Sequence, residues 1–124
     1  MKTVDVRKAA AEAVTANPSR PATAVLHDTD DARLVVFRLS PGQMVPPHRS
    51  VSTVTISVIS GRGFIVGEND ERAVAQGEMA IFAPNELHGM RATDDELVLL
   101  ATITPRPGSR SGTPLEATAE QGRA

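Results

Sequence analysis

The amino-acid sequence predicts an all-β domain, an antiparallel sandwich or barrel, with a short helical arm in front of it. Short runs rich in β-branched and aliphatic residues recur along the chain at roughly 8–12-residue spacing, which is typical of such folds. Clusters of Gly, Pro, Asp and Ser separate these runs, and no helix-length pattern lies between them. At 124 residues, the chain is long enough for one hydrophobic core, so we expect a single domain.

The predicted strands follow one another without an intervening helix. Alternation of apolar and polar residues, or a short continuous apolar run, marks each strand, and a turn sequence ends it. For example, Pro41 and Gly42 end the second run, and Gly61 and Gly63 end the fourth. The predicted strands are residues 23–27, 33–39, 44–48, 53–59, 64–66, 72–75, 79–83, 87–92 and 96–103.

The two ends of the chain differ in composition from the strand region. Residues 1–17 carry several alanines among charged side chains, which favours a short helix that Pro18 ends. Residues 106–124 are rich in Pro, Gly and Ser and have little apolar surface to bury, which predicts a disordered polar tail. The predicted β-barrel domain therefore spans residues 18–105, between the arm and the tail.

The composition excludes several classes of function. A net charge of −2 gives no electrostatic attraction to nucleic acid or to an anionic membrane. The absence of cysteine excludes disulfides, thiolate metal ligands and a cysteine nucleophile. No run approaches the ~20 apolar residues of a membrane helix, and the N-terminus lacks the apolar core of a signal peptide. We therefore expect a cytoplasmic protein with no nucleic-acid or membrane partner.

Strand alternation predicts that two histidines face one interior pocket. Side chains two residues apart on a strand point to the same face of the sheet. Arg38 shares a face with Leu34 and Val36, so it either enters this pocket, where it would pair with an anionic ligand, or stays solvated. With the even-numbered positions inward, the predicted pocket residues are His48, Ser50, Val54, Ile56, His88, Met90 and Arg38.

The two histidines lie in glycine-framed segments whose spacing resembles the two sequence motifs of the cupin family. Gly42, His48 and Gly61 fall at the intervals of the first motif. Gly77 and His88 fall at the interval of the second motif. The chain thus resembles a single-domain cupin of the type-2, RmlC-like kind. The resemblance implies a double-stranded β-helix, or jelly-roll barrel.

The resemblance covers about residues 23–105, and it breaks at positions that carry the chemistry of the family. Ser50 stands where the first motif has a second His, and Val54 stands where it has a Glu. In the second motif Asn85 replaces a Gly, which is tolerable because Asn is the next-best residue for a left-handed turn position. The spacing of the motifs is therefore kept, while half of their metal-binding side chains are not.

Metal-binding cupins use the His, His, Glu and His of these motifs to hold Fe, Mn, Ni or Zn. Such sites need three or more protein ligands, and only His48 and His88 carry over. The favoured candidate for a third ligand is His27, whose alternative role is an edge-strand histidine beside a polar turn. The other candidates are Gln43, Glu78 and Glu86.

From these observations we expect a small-molecule-binding cupin with a degraded metal site around His48 and His88, and a small anionic ligand. The alternative is a metal-dependent enzyme, a dioxygenase or isomerase, whose ligand set is completed by His27, a glutamate or water. A third hypothesis is a structural or partner-binding module whose interior is only core. Cupins of this size commonly form homodimers, and residues 2–14 are predicted to pack as an arm on a second subunit.

Overall fold

The computed structural model describes residues 1–108 and contains one short helix followed by nine strands in that part of the chain. The helix is α1 (Val6–Glu12). The strands are β1 (Ala22–Asp28), β2 (Arg33–Leu39), β3 (Met44–His48), β4 (Thr53–Ser60), β5 (Arg62–Val66), β6 (Glu71–Ala75), β7 (Met79–Phe82), β8 (His88–Ala92) and β9 (Leu97–Thr104). Each predicted strand is confirmed, with its ends within two residues of the prediction.

The strands form two antiparallel sheets that pack face to face. One sheet has five strands in the order β1-β2-β9-β4-β7, and the other has four in the order β3-β8-β5-β6. The chain crosses repeatedly from one sheet to the other, which is the connectivity of a jelly roll, or double-stranded β-helix. The predicted fold class is thereby confirmed, although the two sheets of the described chain remain separate instead of closing into one continuous barrel.

The hydrophobic core lies between the two sheets and follows the strand alternation. In β4 the even-numbered Val54, Ile56 and Val58 are buried and the odd-numbered positions are only half-buried, so the inward face is the one that the sequence pattern indicates. The main core cluster consists of Val35, Phe37, Leu39, Val45, Val54, Ile56, Val58, Ile65, Phe82, Met90, Ala92, Leu97, Leu99, Ala101 and Ile103.

Helix α1 covers part of the outer face of the five-stranded sheet. Its N-cap is Asp5, whose carboxylate accepts a hydrogen bond from the backbone N–H of Lys8 at 3.1 Å. Ala10 packs against Val36 and Val98, which point outward from β2 and β9. The arm therefore packs on the sheet of its own chain. At seven residues, α1 depends on this packing, because an isolated helix of that length is unstable in water.

Arg38 lies on this outer face, and the structure corrects the prediction that it enters the interior pocket. Arg38 is on the same face of β2 as Val36, and α1 covers that face. The other face of β2, with Val35, Phe37 and Leu39, points into the core. The Arg38 Nη1 donates hydrogen bonds to the carbonyl oxygens of Ala10 and Ala11, at 2.6 and 3.0 Å. These carbonyls belong to the last turn of α1, where a helix leaves acceptors without intrahelical partners. Arg38 thus anchors the arm.

The C-terminal end of the described chain is bound to the end of strand β1 in the five-stranded sheet. The Arg106 guanidinium donates to both carboxylate oxygens of Asp28, at the end of β1. From residue 109 onward, the predicted polar tail lies outside the described residues. Within residues 1–108, no helix is long and apolar enough to cross a membrane.

Candidate functional site

The structure brings His48 and His88 together on neighbouring strands of the four-stranded sheet. They are direct register partners in the antiparallel pair of β3 and β8. Residues opposite each other in such a pair have Cβ atoms about 4.5–5.5 Å apart. The two ring centroids are accordingly 4.5 Å apart, with the ring planes tilted by 57°. We call these two side chains the histidine pair.

Backbone features on both strands position the histidine pair. Pro47 precedes His48, and proline keeps the strand end extended. Before β8, Asn85 has φ of 68°, which confirms the left-handed turn position predicted for it. Next to His88, a Cβ on Gly89 would come within 3.0 Å of the Pro47 Cα. A glycine is therefore needed where β3 and β8 approach most closely.

Each ring of the histidine pair is held by a backbone carbonyl two residues earlier. The His48 Nδ1 lies 3.0 Å from the Pro46 carbonyl oxygen, and the His88 Nδ1 lies 3.1 Å from the Glu86 carbonyl oxygen. Because a carbonyl oxygen only accepts, each Nδ1 must carry the proton of that hydrogen bond. In a neutral imidazole, Nε2 is then the acceptor. The backbone geometry therefore selects the same neutral tautomer for both rings.

Both Nε2 atoms are buried and have no hydrogen-bond partner among residues 1–108. His88 is fully buried, whereas His48 is only half-buried as a whole. Burial lowers the pKa of His88, and the nearby His48 adds to this effect. The backbone hydrogen bond and the charge of Glu86 oppose the shift without overcoming it. His88 is therefore biased towards the neutral form, in which its Nε2 accepts.

The surroundings of the histidine pair are mostly apolar and tightly packed. The Phe82 ring centroid lies 5.1 Å from that of His88. Ser50 is buried, and its Oγ accepts a hydrogen bond from the Ser52 backbone N–H at 2.9 Å. The other predicted pocket residues, Val54, Ile56 and Met90, are fully buried members of the core cluster.

An open pocket at the histidine pair stays a prediction. Cavities of about 320, 690 and 340 Å³ indent the described surface, and neither histidine lines any of these three. The 690 Å³ cavity is a cleft between β6 and β7, and Phe82 forms part of its lining. Phe82 also contacts His88, so one residue adjoins both the cleft and the histidine pair. Sequence reasoning missed Phe82, although its place on a predicted strand as one of only three phenylalanines was a usable signal.

The candidates for a third metal ligand are engaged elsewhere. Gln43, Glu78 and Glu86 each accept, through the side-chain oxygen, the backbone N–H of the residue three positions earlier. His27 lies on β1, at the edge of the other sheet, where its Nδ1 is 3.3 Å from the Lys2 Nζ. Over the whole described chain, no three His, Asp or Glu side chains are grouped closely enough to hold a metal ion. His27 thus does not complete the set.

Arg49 connects three loops beside the histidine pair, a role that the sequence did not indicate. Its Nη1 donates to the Asn85 carbonyl oxygen at 2.8 Å, and its Nη2 donates to Glu68 Oε1 at 3.1 Å. The Asn85 backbone N–H in turn donates to the Ser50 carbonyl oxygen. The loops before β4, before β6 and before β8 are therefore linked to one another. Sequence reasoning missed this because the partners are far apart along the chain.

Comparison with known proteins finds one family and many similar structures. The model of the cupin domain family matches residues 35–104. No curated protein matches the sequence. An RmlC-like cupin protein from Desulfovibrio desulfuricans is 26% identical with a TM-score of 0.73, covering 85% of this chain and 97% of that one. An uncharacterized conserved protein with a double-stranded β-helix domain from Klebsiella pneumoniae is 23% identical with a TM-score of 0.74. The match covers 85% of this chain and 90% of that one. The TT1209 protein of Thermus thermophilus is 22% identical with a TM-score of 0.76, covering 86% and 100%.

Proposed function

Because this chain belongs to the cupin domain family, we propose that it binds a small molecule at the pair formed by His48 and His88. One observation carries the proposal: both Nε2 atoms are buried without a partner, while both Nδ1 atoms are held by backbone carbonyls. A buried acceptor without a partner costs about 1–3 kcal/mol. A ligand that donates hydrogen bonds to the two Nε2 atoms removes that cost, so its binding stabilises the folded protein.

The tautomer of the two rings defines the chemistry of the proposed ligand. In their neutral form the two imidazoles present Nε2 lone pairs, which accept hydrogen bonds and offer no proton to an anion. The ligand is therefore a small molecule with hydroxyl, amide or ammonium donors. This replaces the anionic ligand expected from the sequence, because Arg38, its expected partner, lies on the outer face of the other sheet.

The residues around the histidine pair do not fit a tightly held metal ion. The family's metal sites use four protein side chains, and here Ser50 and Val54 stand at two of those positions. Serine is a poor ligand for divalent transition metals, and valine offers no donor atom. Two imidazoles alone leave most of an octahedral coordination shell to water. We therefore propose a binding function that needs no metal.

The binding proposal predicts a response at the histidine rings themselves. The probes are small diols and amides, each compared with its methylated counterpart, and malonate as an anion of similar size. We expect at least one diol or amide to shift the ¹⁵N resonances of both Nε2 atoms near pH 7.5. The methylated compounds and malonate should leave them unchanged, because they donate no hydrogen bond.

Matched variants decide whether this response belongs to the histidine pair. His88→Leu and His48→Leu should each reduce the affinity for the responding probe at least tenfold, because each removes one acceptor. His27→Leu, a histidine on the edge of the other sheet, should change nothing. A response to malonate alone, a response that survives His88→Leu, or no response to any diol or amide would contradict the proposal.

A metal-dependent enzyme, a dioxygenase or isomerase, is the second candidate. The observation in its favour is that both Nδ1 atoms donate to backbone carbonyls, as metal-ligating histidines commonly do. Our first proposal predicts no stoichiometric Fe, Mn, Ni or Zn in protein purified without chelators, and no thermal shift with any of the four. A stoichiometric metal that is lost in both His48→Ala and His88→Ala would replace the first proposal with the second.

We also propose that the protein forms a homodimer, as expected from the sequence. What supports it is the outer face of the edge strand β7, where Met79 and Ile81 are 58% and 67% exposed. Large apolar side chains exposed side by side are a common feature of subunit interfaces. The molar mass from sedimentation velocity measures the oligomeric state directly, and a monomer at micromolar concentration would exclude the homodimer.

The cytoplasmic location stays a prediction from the sequence.

A further inference from the structure

A cavity of about 320 Å³, separate from the histidine pair, lies between the arm and the edge strands of both sheets. Its walls come from the segment before β1, from β1 and β2 of one sheet, and from β3 of the other. We call it the arm cavity. Its volume is at the small end of the roughly 300–1,000 Å³ range of ligand pockets, which suits a small molecule.

The floor of the arm cavity is apolar and belongs to the core. Phe37 and Val45 line it, and both are buried members of the main core cluster, one from each sheet. Met44 and Pro46 continue the apolar surface along β3. The cavity therefore reaches into the gap between the sheets, and a ligand there contacts hydrophobic side chains from both.

Thr23 supplies one polar group at the edge of this floor. It pairs directly with Phe37 in the antiparallel register of β1 and β2, so the two side chains lie on the same face. Within residues 1–108, the Thr23 hydroxyl has no hydrogen-bond partner. In contrast, the hydroxyls of Thr15 and Ser19, which also line the cavity, donate to Asn17. Thr23 is thus a hydroxyl whose proton is available to a ligand.

Arg20 supplies the positive charge of the arm cavity. The turn from Asn17 to Arg20 is closed by a hydrogen bond from the Arg20 N–H to the Asn17 carbonyl oxygen at 3.0 Å, and it sets Arg20 in the cavity wall. None of the ion pairs formed by residues 1–108 includes Arg20. The lining of the arm cavity also contains no acidic side chain. An arginine without a counter-ion therefore lines the same cavity as an apolar floor.

We propose that the arm cavity binds a small carboxylate that carries an apolar chain. The Arg20 guanidinium and the Thr23 hydroxyl donate to the carboxylate, and the chain packs against Phe37 and Val45. Arginine suits this role because its planar N–H groups match the two carboxylate oxygens. The site is independent of the histidine pair, and it places recognition of an anion at an arginine that the sequence prediction did not single out.

The test is a titration of the full chain with hexanoate, followed by amide chemical shifts in ¹H–¹⁵N NMR spectra. We expect the largest shifts at Thr23, Phe37 and Val45. Hexanoate should bind at least tenfold more tightly than acetate, which lacks the chain, and than hexan-1-ol or hexylamine, which lack the carboxylate. Equal affinity for hexanoate and hexan-1-ol would contradict the role of Arg20.

Substitutions at the polar groups complete the test. Arg20→Gln should weaken hexanoate binding at least tenfold, and Thr23→Val about threefold; both sites are exposed, so the spectra should otherwise stay those of the folded protein. Arg62→Gln, a matched exposed arginine outside the cavity, and His88→Leu should leave the affinity unchanged. No shift at the cavity amides, or wild-type affinity in Arg20→Gln, would overturn the proposal without affecting that for the histidine pair.

Discussion

Replacement of Gly61 by alanine is expected to lower the free energy of unfolding by about 3 kcal/mol or more. Gly61 has φ of +84°, and an L-residue in the left-handed region costs about 1–2 kcal/mol. In addition, its Cβ would lie 2.0 Å from the carbonyl oxygen of Glu96, a backbone atom. That backbone leads directly into Leu97, which is fully buried, so it cannot move away cheaply.

Gly77→Ala is the matched control for Gly61→Ala. Gly77 also has a left-handed backbone, with φ of +92°, but a Cβ there would meet nothing within 4 Å. Only the conformational cost of about 1–2 kcal/mol should therefore appear. Urea denaturation followed by circular dichroism measures both losses, with unchanged m-values as the check that the two-state comparison holds. Equal losses for the two variants would show that the contact with Glu96 is unimportant.

The stability of the protein is expected to fall below neutral pH because of His88. Burial lowers the pKa of His88 in the folded state, whereas in the unfolded chain it titrates near the ordinary value of about 6.5. Below that value the unfolded state binds a proton that the folded state lacks. The free energy of unfolding is then flat above pH ~7.5 and decreases as the pH falls through ~6.5, by up to about 1.4 kcal/mol per pH unit.

The comparison with His88→Gln isolates this contribution. Two ionisable neighbours act on the pKa of His88: His48 lowers it further, and Glu86 raises it through its backbone carbonyl and its charge. Carboxylates elsewhere titrate in both proteins and therefore cancel in the difference. We expect urea denaturation between pH 7.5 and 5.5 to give a shallower decrease for His88→Gln. An identical pH dependence in the two proteins would mean that His88 is not the group responsible.

Much of the fold was accessible from the sequence, because local rules govern it. Turn residues and strand alternation are read over a few positions, and they located the strands and the inward face of β4. Motif spacing and strand alternation predicted that His48 and His88 face one interior pocket, and the structure makes them register partners on β3 and β8. The exchange of Gly for Asn85 predicted a left-handed turn position, which the backbone has. Each of these features depends on residues close together in the chain or on a spacing kept by the whole family.

The face of β2 shows where alternation fails. Both faces of this strand are apolar, with Val36 on one and Phe37 on the other, so the pattern alone does not say which face is inside. The structure resolves the ambiguity because α1 covers one of the faces, and it thereby gives Arg38 a helix end to bind instead of a ligand. Gln43, Glu78 and Glu86 are not free to act as a third ligand, because turns in the backbone already occupy their side-chain oxygens. The remaining candidate, His27, lies on the edge of the other sheet.

The sequence by itself determined where the strands lie along the chain, the family to which it belongs, and the two histidines that keep the motif spacing while half of the family's ligands are missing. Only the tertiary structure decided which ring nitrogens these histidines offer to a ligand. Two backbone carbonyls, one in β3 and one in the loop before β8, hold the Nδ1 atoms of His48 and His88, and packing leaves both Nε2 atoms buried as acceptors without partners. It also decided that Arg20 lines one cavity together with Phe37 and Val45 of the core. Hydrogen bonding and burial depend on distances between residues remote in the chain, and no local pattern records them.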